Sequence, residues 1–343
     1  MDARNSQKPE LTTVSHDSVV VHHGTTVHRR VGLAANTHVV VEGITATTFA
    51  RPPGQLLCTF ATVNDLHFGE VEIVTEFKGS ELGVRMRRPD GEVPHPTLCN
   101  RGAITEMKLL DPMVVLAKGD LTTHGTRAEY SEMLDHYVGA FGDRFHHVRG
   151  NHECLGGEEI GDTGPFSVDL PGVKLAVLDT TNYGEDGGLI DANQLEWLDA
   201  LGADADRPVL VFGHHHCWNP DATKRSSNYF GINPDDSEAM IAIFARRSRL
   251  RGYFAGHTHR NRVRRFPWVT GDVPFAEISC VKDFPGVWAE YQVFEGGIQQ
   301  IVHRISDPEV LEWTDRTRDL LPNRGYVDYA FGDLEDRCFT IPV

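Results

Sequence analysis

Short, wholly apolar runs alternate along the middle of the chain with stretches whose apolar residues recur every third or fourth position. The first pattern predicts buried β-strands and the second amphipathic helices. Strands are predicted at Leu56–Val63, Met113–Ala117, Phe145–Val148, Val173–Leu178, Pro208–Phe212 and Tyr253–Ala255. Four more follow at Asn261–Phe266, Phe275–Ser279, Trp288–Phe294 and Ile298–His303. Helices are predicted over Cys99–Leu110, over Thr126–Phe141 with Tyr130, Met133, Leu134, Tyr137 and Val138 on one face, and over Pro234–Leu250. Another begins at Asp191, with Gln194 in the capping-box position. This alternation implies sheets inside and helices outside, a layered α/β sandwich over residues 56–305.

The flanks read differently. Residues 1–16 are polar and are expected to be disordered. Residues 17–55 carry β-branched runs punctuated by Gly24, Gly32 and Gly43, a small antiparallel β unit closed by the stiff connector Arg51-Pro52-Pro53-Gly54. Residues 69–98 show no period and are expected to form a long excursion near the mouth of a site. Residues 306–343 are mixed and aromatic-bearing, and read as a docked tail.

Charge narrows the partners. With 33 Lys and Arg against 49 Asp and Glu, the formal net charge is −16, which disfavours nucleic acid and anionic membranes. No apolar run approaches the roughly 18 residues of a membrane span, and no apolar signal core opens the chain, so a cytoplasmic location is expected. The six cysteines lack CxxC spacing and are expected to be free, mostly buried thiols.

Five short polar motifs fall at the carboxyl ends of predicted strands, where α/β proteins place their sites. They are Asp65-Leu66-His67, Gly119-Asp120, Gly150-Asn151-His152, His214-His215-His216 and Gly256-His257-Thr258-His259. Together they offer two carboxylates, an amide and at least four imidazoles, a donor set suited to two divalent cations. An extended backbone would put each of the pairs Asp65 and His67, and His257 and His259, on one side.

In order and spacing these motifs resemble the calcineurin-like metallophosphoesterase superfamily, over residues 56–305, and within it the bacterial class III 3′,5′-cyclic nucleotide phosphodiesterases. The resemblance implies a four-layer α/β/β/α sandwich. It implies that Asp65, His67 and His259 hold one metal, that Asn151, His214 and His257 hold a second, and that Asp120 bridges them, with His215 the alternative to His214. It implies two divalent ions, manganese, iron, zinc or cobalt, whose bridging hydroxide attacks phosphorus in line. His152 would stabilise the phosphoryl oxygens or protonate the leaving alkoxide, and Asn151 and His152 would meet the substrate. Thr123 replaces the tyrosine that purple acid phosphatases carry three residues after the bridging aspartate, which argues against a tyrosinate-bound ferric ion. Glu153 stands where aspartate is commoner and is expected to support a ligand, as is Asn64.

The implied activity is hydrolysis of a small phosphoester, foremost a cyclic nucleotide or similar diester. A phosphomonoesterase and a non-catalytic metal-binding scaffold are the alternatives. Two divalent ions against two aspartates and a hydroxide leave about one positive charge, which a diester monoanion neutralises. Several residues carry two readings. His124 either lines the pocket or is a loop residue, and Cys217 is either a packed thiol or a redox sensor. Arg260, Arg262, Arg264 and Arg265 form a solvated strand face or steer phosphate. Trp218, Tyr229 and Phe230 pack a loop or stack on a base. His22, His23, His146 and His147 read as strand or surface histidines.

Overall fold

The computed structural model of the chain describes residues 8–77, 80–226, 228–266, 269, 272–321 and 325–343. The N-terminal unit comprises β1 (Glu10–Val14), β2 (Val19–His23), β3 (Thr26–Arg30), β4 (His38–Val41) and β5 (Ile44–Thr47). Then come β6 (Leu56–Val63), the hairpin β7 (Ile73–Phe77) and β8 (Ser80–Met86), α1 (His95–Leu110), β9 (Val115–Lys118), α2 (Arg127–Phe141), β10 (Phe145–Val148) and α3 (Asn151–Leu155). The second half runs β11 (Phe166–Leu170), β12 (Val173–Val177), α4 (Ala192–Asp204), β13 (Val209–Phe212), α5 (Pro234–Arg246), β14 (Leu250–Ala255), β15 (Arg262–Arg264), β16 (Phe275–Glu277), β17 (Val287–Phe294) and β18 (Gly297–Arg304). It ends with α6 (Pro308–Arg316), α7 (Tyr326–Phe331), α8 (Leu334–Arg337) and β19 (Cys338–Ile341).

Two six-stranded sheets form the middle layers, in the orders β10-β9-β6-β17-β18-β19 and β11-β12-β13-β14-β16-β15. Within them β10, β9 and β6 run parallel, as do β12, β13, β14 and β16. Their facing surfaces interlock through aromatic rings. Phe60 and Tyr291 of the first sheet stack at 4.6 Å, and Phe212 and Phe254 of the second meet them edge-on at 6.1 and 5.4 Å. Met107 of α1, Tyr137 of α2 and Trp313 of α6 bury the outer face of the first sheet. Leu198 of α4 and Met240 and Phe244 of α5 bury the outer face of the second. The result is the layered α/β sandwich that the apolar periods predicted, with the four α/β/β/α layers that the resemblance implied.

One expectation is corrected and two are filled in. Disorder over 1–16 does not hold for its second half, because Glu10–Val14 is a strand paired with β2; residues 1–7 lie outside the described residues. Distant partners fix it: the Arg337 guanidinium donates to the carbonyls of Leu11 and Thr12, and the Thr13 hydroxyl to that of Val302. The 69–98 excursion contains the β7–β8 hairpin and the first turn of α1. Ile73 and Met86, the first and last residues of the hairpin, pack on the core beneath the outer helices of the first sheet. The 306–343 tail is three helices and a strand, and β19 completes the first sheet beside β18.

His22 of β2 is 1% exposed; its Nδ1 faces the Thr12 hydroxyl at 2.8 Å and its Nε2 has no partner. Burial, with Arg304, Arg29 and Arg318 nearby, pushes its pKa down to about 2. The unfolded chain then takes up this proton first, so stability is full above pH 6.5 and is lost as pH falls below it. The expected cost approaches about 1.4 kcal/mol per pH unit. Denaturant midpoints between pH 7 and 5 should fall less steeply in His22→Gln than in the parent; parallel slopes would assign the proton uptake elsewhere.

Candidate metal centre

The five motifs occupy the carboxyl ends of β6, β9, β10, β13 and β14, which the two sheets bring to one edge of the sandwich. Chain crossing at this edge is tight. A Cβ at Gly150 would collide with the backbone N–H and carboxylate of Asp120, and one at Gly119, whose φ is +82°, with the ring of His214. Glycine therefore lets the β9 and β10 loops touch. Glu153, 1% exposed, locks that contact: its carboxylate accepts the Thr122 N–H and hydroxyl at 2.8 and 2.7 Å and the Gly150 N–H at 2.7 Å.

The donors converge. One set of ligand atoms lying within 4.8 Å of each other comes from Asp65, His67 and His259, another from Asp65, Asp120 and His214, and a third from His214, His215 and His257. His214 Nε2 lies 3.2 Å from Asp120 Oδ1 and 3.0 Å from Asn151 Oδ1. Its other nitrogen, Nδ1, donates to the Lys118 carbonyl at 2.9 Å, which leaves Nε2 facing Asp120 and Asn151. His257 likewise donates from Nε2 to the Phe230 carbonyl at 2.6 Å and keeps Nδ1 available. His215 differs, since both its ring nitrogens are engaged, Nδ1 with the Thr180 hydroxyl at 2.9 Å and Nε2 with the Asp186 carbonyl at 3.2 Å.

His67 is 5% exposed, and neither of its ring nitrogens has a hydrogen-bond partner. Its Nε2 lies 3.7 Å from Asp120 Oδ2. Burial and the cation Lys282 hold its pKa well below the usual histidine value. Two bare nitrogens on a buried neutral imidazole beside two carboxylates fit a metal ligand, because an unpaired buried polar group is otherwise costly. Burial opposes ionisation of Asp120, yet His214 and His152 hold its carboxyl well below the carboxylate range. Against the same burial, Asp120 and Asp65 push His214 up to about 9.

The backbone at the centre is not extended. Asp65, His67, Asp120, His257 and His259 have φ of +55°, +48°, +46°, +68° and +50°. Left-handed turns, rather than the expected strand alternation, turn Asp65 and His67 to one side. Asn64 supports Asp65 with its side-chain amide, which also donates to the Ile278 and Ser279 carbonyls at 3.0 and 3.2 Å.

His152 is placed through Nδ1, which donates to the Thr123 carbonyl at 2.6 Å, while its backbone N–H donates to Asp120 Oδ1 at 3.2 Å. Its ring lies edge-on to His67 at 4.7 Å and lines an open cavity of about 870 Å³ with His67, Asp120, Asn151, His257 and His259. His124 is not in that lining; it is exposed and paired with Glu129 at 2.6 Å. Cys217 is buried in an environment that raises its thiol pKa, and all six cysteines are buried and unpaired. Three of the four clustered arginines are held in ion pairs. Arg260 and Arg264 reach buried Glu277 at 2.8 and 3.3 Å, and Arg265 reaches Asp272 at 2.6 Å. Trp218 is buried against Tyr229, whereas Phe230 is half-exposed, stacks on His257 at 3.9 Å and faces the cavity.

Sequence reasoning missed Glu70, His95, Lys282 and Asp283. Lys282 Nζ, in a residue only 3% exposed, lies between Glu70 at 2.7 Å and Asp283 at 2.9 Å. His95 meets Glu70 at 2.9 Å, and Asp283 Oδ2 lies 3.5 Å from His259 Nδ1. Only the adjacent Lys-Asp pair hinted at this cluster, because its other members come from two distant elements.

No helix among the described residues is long and apolar enough to cross a membrane. A probable cyclic nucleotide phosphodiesterase from Synechococcus sp. is 26% identical over 181 residues, 48% of this chain and 68% of that protein. The glycerophosphodiester phosphodiesterase GpdQ of Enterobacter lignolyticus is 24% identical over 174 residues, 46% of this chain and 60% of that protein. Among solved structures, a dimetal phosphatase from Danio rerio superposes with a TM-score of 0.56 at 15% identity, covering 73% of this chain and 98% of that one; the likeness is one of fold. The family model for calcineurin-like phosphoesterases matches residues 59–261, more than half of the chain. The chain belongs to the calcineurin-like phosphoesterase family.

Proposed function

We propose that the protein is a dinuclear metal-dependent phosphodiesterase acting on 3′,5′-cyclic nucleotides or similar small diesters. Asp65, His67 and His259 would hold one divalent ion, Asn151, His214 and His257 the other, and Asp120 both. The observation that carries this reading is the pair of bare ring nitrogens on buried His67, set among carboxylates and imidazoles that converge on one cavity. His214 rather than His215 is the ligand in this reading, since both nitrogens of His215 already serve Thr180 and Asp186.

Two divalent ions supply Lewis acidity and lower the pKa of water toward neutrality. The chain's own residues do the rest. Asp120 and Asp65 would offset the charge of two divalent ions to about +2, a positive site that attracts a diester monoanion. Asn151 contributes a neutral donor, and His152, held by Thr123, presents Nε2 to a phosphoryl oxygen or to the departing alkoxide.

Manganese-loaded protein should cleave bis(p-nitrophenyl) phosphate faster than p-nitrophenyl phosphate, and a chelator should abolish both activities. Faster monoester cleavage would make the protein a phosphatase. Inertness toward both with two ions bound would make it a scaffold.

A further inference from the structure

The cavity beside the centre is far larger than a phosphate group. Its volume of about 870 Å³ lies in the range that holds whole drug-sized molecules. Away from the candidate ligands one wall is apolar, made of Ile73 from β7, Phe230 from the β13–α5 loop, Leu320 and Leu321 after α6, and Tyr326 and Tyr329 of α7, while Asp186, Thr258, Lys282 and Asp283 supply the polar part. Resting on the phosphoesterase reading of this centre, we propose that the recess receives a neutral aromatic or apolar arm of the phosphoester, and that Leu321 and Tyr329 set that preference.

The apolar wall offers a polar arm no partner; the unpaired Thr258 hydroxyl and Asp283 Oδ1 of the lining belong to residues flanking the candidate ligands and Lys282. Lys282, which also borders the cavity, is neutralised by Glu70 and Asp283. The hydroxyl of Tyr329 is spent on the Thr258 carbonyl at 2.9 Å, so the residue offers its ring. Asp186 in the lining is an exposed carboxylate that repels a second anionic group. A polyol arm such as glycerol would leave its hydroxyls unpaired against Ile73, Leu320 and Leu321, the kind of mismatch a site rejects strongly.

The wall is also fixed in place before any ligand arrives. Arg318, two residues before Leu320, forks onto Glu10 of β1 at 2.8 and 2.6 Å, bonds Asp315 at 2.6 Å, and lies 4.0 Å over the ring of Phe284. An apolar surface held this way needs no ordering on binding, so the burial of an aromatic arm reaches the affinity largely undiminished.

The test uses two phosphinates with unbreakable P–C bonds, diphenylphosphinate and dimethylphosphinate, titrated calorimetrically into the manganese-loaded full chain. Diphenylphosphinate should bind about 10- to 100-fold more tightly. That ratio should fall to about 3 or less in Leu321→Ala and in Tyr329→Ala, and should persist in Tyr329→Phe, which keeps the ring. Equal binding by the parent protein, or a ratio unmoved in both alanine variants, would overturn the proposal. Parallel assay of bis(p-nitrophenyl) phosphate separates the two readings. Phenyl preference without turnover would leave the recess standing and remove the hydrolase. Turnover without phenyl preference would do the reverse.

Discussion

His152→Ala is expected to lower kcat on a phosphodiester by about 10²- to 10⁴-fold while leaving bound metal unchanged. The expectation follows from how the ring is held. One nitrogen is fixed by the Thr123 carbonyl at 2.6 Å, and the ring packs edge-on against His67 at 4.7 Å, so the remaining nitrogen reaches the cavity without an internal partner. A group oriented in this way acts on charge that develops during the reaction, so kcat should fall more than KM rises. Elemental analysis of the purified variant supplies the control. Atoms of His67, Asp120 and His152 also lie close enough to share an ion. If metal content fell together with kcat, His152 would be a ligand and its role as a proton donor would be lost.

Lys282→Met should destabilise the fold by about 3–5 kcal/mol, the cost of leaving buried charges without their partner. Burial alone would raise the pKa of Glu70, but Lys282 and His95 more than offset it and lower it; Asp283, more deeply buried, is held below the carboxylate range chiefly by Lys282. The variant keeps most of the side-chain volume and removes only the ammonium, so the loss is electrostatic rather than a cavity. The Lys282 carbonyl still accepts the Trp313 indole N–H at 2.9 Å, which isolates the effect to the side chain. Denaturant unfolding at pH 7 measures it, and Glu70→Gln in the same background should recover part of the loss. A change below about 1 kcal/mol would mean that water, not Lys282, stabilises these carboxylates.

The motif positions were readable because each buried strand is a short apolar run, and the residue after such a run lies by geometry at the sheet's edge. Val115–Lys118 followed by Gly119-Asp120 shows this most plainly. What could not be read depends on partners remote in sequence. The Glu10–Val14 strand looks polar and unstructured until Arg318 and Arg337 are placed beside it. Asp283 lies 24 residues beyond His259 in a stretch with no repeating pattern, and nothing local announces that the two side chains meet. The left-handed backbone at Asp65 and His67 was hidden for another reason. Aspartate and histidine adopt that region only under constraint, and the constraint is the neighbouring loop: the backbone N–H of Asp65 donates to the Gly119 carbonyl and that of His67 to the Asp120 carbonyl.

Those five left-handed side-chain-bearing residues have a consequence for mutational drift. Each sits where glycine is the conformationally favoured residue, at a cost on the order of 1 kcal/mol or more for keeping a Cβ there. Only glycine at these positions would relax the backbone as it removed the side chain; any other replacement keeps a Cβ in the same region. Loss of a candidate ligand and relief of backbone strain therefore coincide for glycine replacements alone.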